Sequence, residues 1–192
     1  MKIDIILAGV GGQGILSIAS IIGYAAVKKG LTLKQAEVHG MSQRGGDVQS
    51  HFRLADHEIA SDLIPKGQAD LIISVEPMES LRYLPWLNKE GWLITNDQPF
   101  INIPNYPDKE QIFAELNKLP HKVVINADEM AKELGSARSA NMVILGAASP
   151  HIDITFEDIE NAVSEVFARK GDEIVNVNLA CLRAGRKFAI NL

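Results

Sequence analysis

The chain has 192 residues, of which 46% are hydrophobic and 22% charged, and its net charge is −5. This length and composition are typical of one globular domain with a sizeable core, and an acidic balance argues against nucleic-acid binding. No apolar run is long enough to cross a bilayer and no signal peptide is evident, so we expect a cytoplasmic protein that does not bind membranes.

The first seventeen residues carry the most informative pattern. Residues 3–7 form a short apolar run typical of a buried strand, and a glycine-rich turn and a long apolar stretch follow. Glycine spacing of this kind predicts a tight turn at Gly9, close ligand approach at Gly11 and close helix packing at Gly14. The helix N-terminus would suit a phosphate. The predicted ligand-binding residues of this turn are Gly9, Gly11, Gly12, Gln13 and Gly14. The alternative is a turn that only joins strand to helix.

A helix is predicted over residues 12–29, and apolar side chains cover nearly its whole circumference. Two interpretations stay open, because apolar periodicity does not distinguish a core from an interface. The helix is either buried in the core or covered by another subunit.

The second predicted strand covers residues 33–38, and Glu37 lies where a Rossmann fold places its ribose-binding carboxylate. A polar loop over residues 39–46 follows. Residues 47–54 then alternate strictly between apolar and polar, which predicts a half-exposed strand. We expect this strand to form a hairpin-like excursion with residues 58–60.

The remaining chain alternates strands with helices. Strands are predicted at residues 69–75, 91–95 and 122–125, and helices at 78–87, 108–119, 126–134, 140–149, 155–169 and 175–189. This alternation predicts a Rossmann-like, doubly wound α/β fold with a mainly parallel sheet and helices on both faces. Residues 140–149 are small and suit close helix packing. Glu76 is expected to cap the next helix, or else to orient a ligand hydroxyl.

A second candidate ligand loop follows the second strand. It contains Ser42, Arg44, Gly45 and Gly46. An arginine can bind a phosphate through two parallel hydrogen bonds, and paired glycines allow N–H groups to converge on an anion. In parallel sheets the ligands bind beyond the carboxyl ends of the strands, so both loops should meet there. The alternative for Arg44 is a solvated side chain in a turn.

Metal and nucleophile chemistry have no clear candidates in the sequence. Cys181 is the single cysteine, which excludes an internal disulfide and a cysteine-ligated iron–sulfur cluster held by this chain alone. It lies in an apolar helical stretch, so we expect a buried structural thiol. The histidines lack metal-ligand spacing. We therefore predict no metal site and no catalytic residue.

Three segments together resemble a known family: residues 5–14 (IILAGVGGQG), 42–46 (SQRGG) and 141–147 (NMVILGA). They are similar to the gamma-type subunits of the 2-oxoacid:ferredoxin oxidoreductases, and most similar to the small subunits of the indolepyruvate enzymes. The resemblance spans essentially the whole chain and implies one gamma-type domain over residues 1–192.

The resemblance also implies a role that depends on a complex. The family oxidises 2-oxoacids with thiamine diphosphate and coenzyme A, and passes electrons to ferredoxin. This chain lacks the Gly-Asp-Gly stretch of the thiamine-diphosphate subunit. The resemblance thus implies a large partner holding thiamine diphosphate and the iron–sulfur clusters, an indirect link to ferredoxin, and no activity of this chain alone. It suggests an aryl pyruvate as substrate and the two glycine loops as a coenzyme A phosphate site.

Two other function classes remain open at this point. The chain could be a self-contained NAD(P) or flavin oxidoreductase, in which Gly9, Gly11, Gly14 and Glu37 would bind the cofactor. It could also be a scaffold subunit that binds no ligand.

Overall fold

The computed structural model describes residues 1–39 and 45–192. Its strands are β1 (Lys2–Val10), β2 (Thr32–His39), β3 (Asp47–Ala55), β4 (Ala69–Ser74), β5 (Leu87–Asn96) and β6 (Lys122–Ile125). Its helices are α1 (Ile15–Lys28), α2 (Pro77–Arg82), α3 (Lys109–Asn117), α4 (Ala127–Glu133), α5 (Ala140–Ala148), α6 (Phe156–Phe167) and α7 (Asp172–Ile190). No helix in these two ranges is long and apolar enough to cross a membrane.

The six strands form one sheet in the order β2-β3-β1-β4-β5-β6. The β1–β4, β4–β5 and β5–β6 pairs are parallel, and β3 is antiparallel to both of its neighbours. Helices α1, α4, α5, α6 and α7 pack on one face, and α2 and α3 pack on the other. The predicted α/β fold with a mainly parallel sheet and helices on both faces is confirmed.

The prediction that residues 47–54 form a hairpin with residues 58–60 is wrong. Residues 47–54 do form a strand, but β3 pairs with the preceding strand β2 rather than with residues 58–60. It also lies between β1 and β2 in the sheet. The expected exposed face of β3 is covered by residues 61–64. Arg53 Nη1 donates to the carbonyl oxygens of Ser61 and Leu63 at 2.9 and 3.0 Å, so this segment covers the polar face instead of forming a strand.

His51, on β3, contacts the segment of residues 61–64 that covers this face. Its Nδ1 accepts a hydrogen bond from the Ile64 N–H at 2.9 Å, and the side chain is buried. Burial, followed by the nearby Arg53 charge, lowers the pKa of His51 below its ordinary value of 6.5. Protonation would place a hydrogen on Nδ1, so it would break the bond from Ile64. The folded state therefore favours neutral His51.

We expect the free energy of unfolding to fall as the pH drops below about 6.5, because the unfolded chain then binds a proton on His51 that the folded chain resists. His51→Asn keeps an acceptor near the Nδ1 position but does not titrate in this range. Denaturant unfolding between pH 7.5 and 5 should therefore give a flatter pH dependence for His51→Asn than for the original chain. An identical pH dependence in both proteins would contradict this account.

Helix α1 belongs to the core of this chain. It begins at Ile15 rather than at residue 12, because Gly12 and Gly14 adopt left-handed backbone conformations before it. Ile18 and Ile22 are at most 1% exposed, and α5 and α6 of the same chain pack against the helix. The interpretation that another subunit covers these positions is wrong.

Glu76 caps α2, as expected. Its Oε2 accepts a hydrogen bond from the Glu79 N–H at 2.7 Å. Its Oε1 accepts from the Phe100 N–H at 3.2 Å and from the Tyr106 hydroxyl. These bonds engage both oxygens, so the alternative role toward a ligand hydroxyl is not supported. The predicted helix over residues 78–87 ends early, at Arg82, and a 3₁₀ turn follows.

Helices α5 and α7 cross at very short range. A Cβ atom on Gly146 would lie 1.9 Å from the Leu182 carbonyl oxygen, and one on Gly185 would lie 1.9 Å from the Val143 carbonyl oxygen. The close packing predicted for residues 140–149 is confirmed. Cys181 is fully buried beside this crossing, and burial raises the pKa of its thiol to about 11. The prediction of a buried structural thiol is confirmed.

Candidate functional site

The glycine-rich turn joins β1 to α1 at the carboxyl edge of the sheet. Gly12 and Gly14 supply the positive φ angles of the turn, at 103° and 83°. Gly9 lies within β1, so its predicted role in a tight turn is wrong. A Cβ atom on Gly9 would lie 2.4 Å from Val75 Cγ2 and 2.8 Å from Ile15 Cδ1. Gly9 therefore allows α1 and the end of β4 to pack closely against β1.

Gln13 fixes the turn through its side chain. Its Oε1 accepts a hydrogen bond from the Val10 N–H at 2.8 Å, and its Nε2 donates to the Val75 carbonyl at 3.4 Å. The amide thus bridges the ends of β1 and β4. The Gln13 side chain therefore holds the backbone of the turn in place.

The first turn of α1 has open N–H groups. No side chain caps this helix, and its first turn contains no acidic residue. Within the described residues, the amides of Ile15 and Leu16 donate to no protein acceptor. Such a helix start carries the positive end of the helix dipole and suits an anion.

The second predicted loop meets the glycine turn where the structure describes it. The Gly11 N–H donates to the Gly46 carbonyl at 2.8 Å, and the Gly45 N–H donates to the Gly11 carbonyl at 3.3 Å. Asn102 Nδ2 also donates to the Gly45 carbonyl, at 2.8 Å. The loops converge because β3, which follows the second loop, pairs with β1 in antiparallel fashion. Ser42 and Arg44 lie outside the described residues.

A cavity of about 640 Å³ opens beside the glycine turn. Gly12, Gly14 and Ser17 form one wall. The other walls come from the ends of β4 and β5 with the start of α4, from the connection before α5, and from the α6–α7 junction. Asn141 joins two walls, because its Nδ2 donates to the Gly14 carbonyl at 3.0 Å. A volume of several hundred Å³ is typical of small-molecule and cofactor sites.

Several cavity residues were not among the predicted site residues. They are Ser17, Asn96, Asp128, Arg138, Asn141, Lys170 and Asn178. Asn141 stood in one of the three segments that carried the family resemblance, but nothing in the sequence indicated its bond to the glycine turn. The others come from separate helices and connections, and no local motif marks them.

The sheet order disfavours the self-contained dinucleotide enzyme. In a Rossmann fold the ribose-binding carboxylate follows the strand beside β1. Here β3 occupies that position, and Glu37 lies on β2, one strand further away. The predicted pairing of Glu37 with the glycine turn around one dinucleotide is therefore not supported.

Comparison with known proteins gives a consistent result. Residues 4–188 match the family model for pyruvate ferredoxin/flavodoxin oxidoreductase. The indolepyruvate oxidoreductase subunit IorB of Archaeoglobus fulgidus is 38% identical over 200 residues, which cover 100% of this chain and 97% of the relative. IorB of Methanothermobacter thermautotrophicus is 37% identical over 192 residues, which cover 96% of each chain.

Solved structures share the fold. The gamma subunit of the keto/oxoacid ferredoxin oxidoreductase from Geobacter sulfurreducens has a TM-score of 0.69 at 24% identity, covering 99% of both chains. The 2-oxoglutarate:ferredoxin oxidoreductase from Magnetococcus marinus, with 2-oxoglutarate, coenzyme A and succinyl-CoA bound, has a TM-score of 0.79 at 24% identity. The match covers 100% of this chain but 31% of that one. The chain therefore belongs to the pyruvate ferredoxin/flavodoxin oxidoreductase family, as a small subunit of a 2-oxoacid:ferredoxin oxidoreductase complex.

Proposed function

We propose that this subunit serves a complex that oxidises an aryl pyruvate such as indolepyruvate, using thiamine diphosphate and coenzyme A and passing electrons to ferredoxin. The support is the full-length similarity to relatives named indolepyruvate oxidoreductase subunits. A larger partner would hold thiamine diphosphate and the iron–sulfur clusters and would carry out the redox chemistry. Residues 1–192 would act as one gamma-type domain.

Within this complex, the glycine turn would bind the pyrophosphate of coenzyme A. The observation that carries this proposal is the cavity beside the uncapped start of α1, where open N–H groups and the helix dipole favour negative charge. The binding residues would be Gly12 and Gly14 through their backbone. The predicted ligand contact at Gly11 is not supported, because its N–H and its carbonyl are bonded to Gly46 and Gly45, so these three glycines would support the turn. Ser42 and Arg44 would add contacts from the same loop. Gly9 and Gln13 would keep the turn in shape.

Ser17→Asp tests this assignment. Ser17 is the third residue of α1 and lines the cavity. A carboxylate in the first turn of a helix is stabilising by about 0.3–1 kcal/mol, but here it would repel a bound phosphate. In the assembled complex we expect the KM for coenzyme A to rise about tenfold or more, which corresponds to about 1.4 kcal/mol. The KM for the 2-oxoacid should stay constant, and the thermal stability should not fall.

Ser20→Asp is the matched control. Ser20 lies one turn further along α1, is exposed and does not line the cavity. Ser20→Asp introduces the same charge on the same helix but away from the cavity. It should therefore leave the KM for coenzyme A and the KM for the 2-oxoacid unchanged. If Ser17→Asp also leaves the coenzyme A kinetics unchanged in an intact complex, the glycine turn does not bind this ligand. The scaffold alternative would then be favoured.

A further inference from the structure

We propose that Arg138 and Lys170 form a second phosphate site in the same cavity and bind the 3′-phosphate of coenzyme A. This inference rests on the proposed function, because it assumes that the glycine turn holds the pyrophosphate. Arg138 lies in the 3₁₀ turn before α5, and Lys170 lies in the 3₁₀ turn after α6. Both residues line the cavity, on walls other than the glycine turn.

The charge balance of the cavity favours an anion at these walls. Within the described residues, neither Arg138 nor Lys170 has a carboxylate within ion-pair distance. The described lining contains one acidic residue, Asp128, whose Oδ2 already accepts a hydrogen bond from Asn96 Nδ2 at 2.6 Å. Two cations with no carboxylate partner in the described ranges thus line a cavity of a protein whose net charge is −5.

Both cations lie on ordered turns. The Ser139 N–H donates to the Ser136 carbonyl at 2.9 Å and the two hydroxyl oxygens are 3.0 Å apart, which fixes the turn that carries Arg138. Lys170 Nζ lies 5.0 Å from the centre of the Phe167 ring, and this cation–π contact holds the stem of Lys170 against the cavity wall. A phosphate bound here would therefore contact two cations whose turns are already held in place by the fold.

Two buried asparagines favour a nucleotide over a simple anion. Asn178 Nδ2 donates to the Ile174 carbonyl at 2.8 Å, and Asn141 Nδ2 donates to the Gly14 carbonyl at 3.0 Å. The Oδ1 atom of each residue accepts no hydrogen bond within the described part of the chain. Both residues line the cavity, so each offers an acceptor to a ligand N–H group, such as the exocyclic amine of adenine.

The ligand's own chemistry requires two separate anion sites. Coenzyme A carries its pyrophosphate on the 5′ side of the ribose and a single phosphate on the 3′ side. A pyrophosphate at the glycine turn therefore leaves the 3′-phosphate to be bound at a different wall. Arg138 and Lys170 are the cations that the described lining offers for it.

Equilibrium titration of the assembled complex with coenzyme A and with 3′-dephospho-coenzyme A tests the assignment. A charge-assisted bond to a phosphate corresponds to about a tenfold effect or more in affinity. Arg138→Ala and Lys170→Ala should each weaken coenzyme A binding about tenfold and leave 3′-dephospho-coenzyme A binding unchanged. Lys132→Ala and Arg169→Ala, which remove exposed cations that do not line the cavity, should change neither affinity.

Each other outcome overturns the assignment. If Arg138→Ala and Lys170→Ala weaken both ligands equally, these cations bind the pyrophosphate and not the 3′-phosphate. If they weaken neither ligand, this part of the cavity binds no phosphate. Ser17→Asp, measured in the same titration, separates the two proposals, because it should weaken both ligands equally. If Ser17→Asp weakens neither, the site at the glycine turn fails on its own.

Discussion

Gly146→Ala is expected to destabilise the chain by about 3 kcal/mol or more, because the new methyl group would overlap the backbone of α7. The added Cβ atom would lie 1.9 Å from the Leu182 carbonyl oxygen, 2.8 Å from the Leu182 carbonyl carbon and 3.0 Å from the Arg186 nitrogen. These atoms belong to a helix backbone, so the clash cannot be relieved by rotating a side chain. Relief requires the two helices to separate.

Separation of α5 from α7 should also reach the cavity. Asn178 lies on α7 and Asn141 lies on α5, and both line the cavity. We therefore expect Gly146→Ala to weaken coenzyme A binding in any fraction of the protein that still assembles. Urea unfolding of the purified chain measures the loss of stability, and titration of the assembled complex measures the loss of affinity.

Gly23→Ala provides the matched control. Gly23 also lies inside a helix, but a Cβ atom there would meet the flexible end of the Leu33 side chain, at 3.2 Å. Alanine gains about 0.8–1 kcal/mol over glycine in helix propensity, which offsets a small adjustment of Leu33. The unfolding midpoint of Gly23→Ala should therefore stay close to that of the original chain. A similar midpoint for Gly146→Ala would contradict a direct backbone contact between α5 and α7 at this position.

The crossing of α5 and α7 shows what the sequence could and could not predict. The small residues of 140–149 indicated close packing, because a helix face without bulky side chains lets another backbone approach. The partner could not be predicted, since Gly185 lies almost forty residues further along the chain and no local pattern links it to Gly146. Composition indicates the kind of contact, whereas the fold determines which segment makes it.

The same distinction holds for the sheet. The run from β1 through the glycine turn to α1 was predicted because strand, turn and helix are contiguous and each has a local signature. The position of β3 between β1 and β2 was not predicted, because strand order depends on pairing between segments that are distant in the sequence. The alternating pattern of residues 47–54 also looked half-exposed, since the cover of its polar face by residues 61–64 is irregular and carries no periodic signal.

The candidate site also contains residues that could be predicted from the sequence and residues that could not. Backbone anion sites have glycine signatures, so the glycine turn and its contact with Gly45 and Gly46 could be expected from the sequence. Isolated cations such as Arg138 and Lys170 resemble any solvated surface charge until the fold brings them to one cavity. Gln13 shows the opposite error. It was predicted to bind a ligand because it lies within the glycine motif, but its side chain stabilises the turn.

Asp4→Ala is expected to destabilise the chain by about 3–5 kcal/mol, because it removes one partner of a buried ion pair and leaves the other charge uncompensated. The Asp4 side chain is 0% exposed and that of Arg53 is 11% exposed. Arg53 Nε donates to Asp4 Oδ1 at 2.7 Å, and Arg53 Nη2 donates to Asp4 Oδ2 at 3.0 Å. Lys2 Nζ adds a further contact to Oδ2, at 2.9 Å.

Glu115→Ala is the control for this pair. Glu115 and Lys118 form an ion pair at 2.6 Å on the surface of α3, with both side chains more than half exposed. Exposed pairs contribute about 0–1 kcal/mol, so urea unfolding should barely distinguish Glu115→Ala from the original chain. Equal losses for Asp4→Ala and Glu115→Ala would contradict a special role for the buried pair.

Hydrogen exchange should show where the loss of Asp4 acts first. Arg53 holds residues 61–63 through the Ser61 and Leu63 carbonyl oxygens, and His51 holds Ile64 beside them. Without Asp4, the Arg53 guanidinium loses the carboxylate that orients it, so its bonds to these carbonyls should weaken. The Ile64 amide, which donates to His51, should then exchange faster in Asp4→Ala, while amides in the centre of β4 exchange only through global unfolding. Uniform acceleration at Ile64 and in β4 would instead mean that Asp4 stabilises the whole sheet and not the cover of β3 in particular.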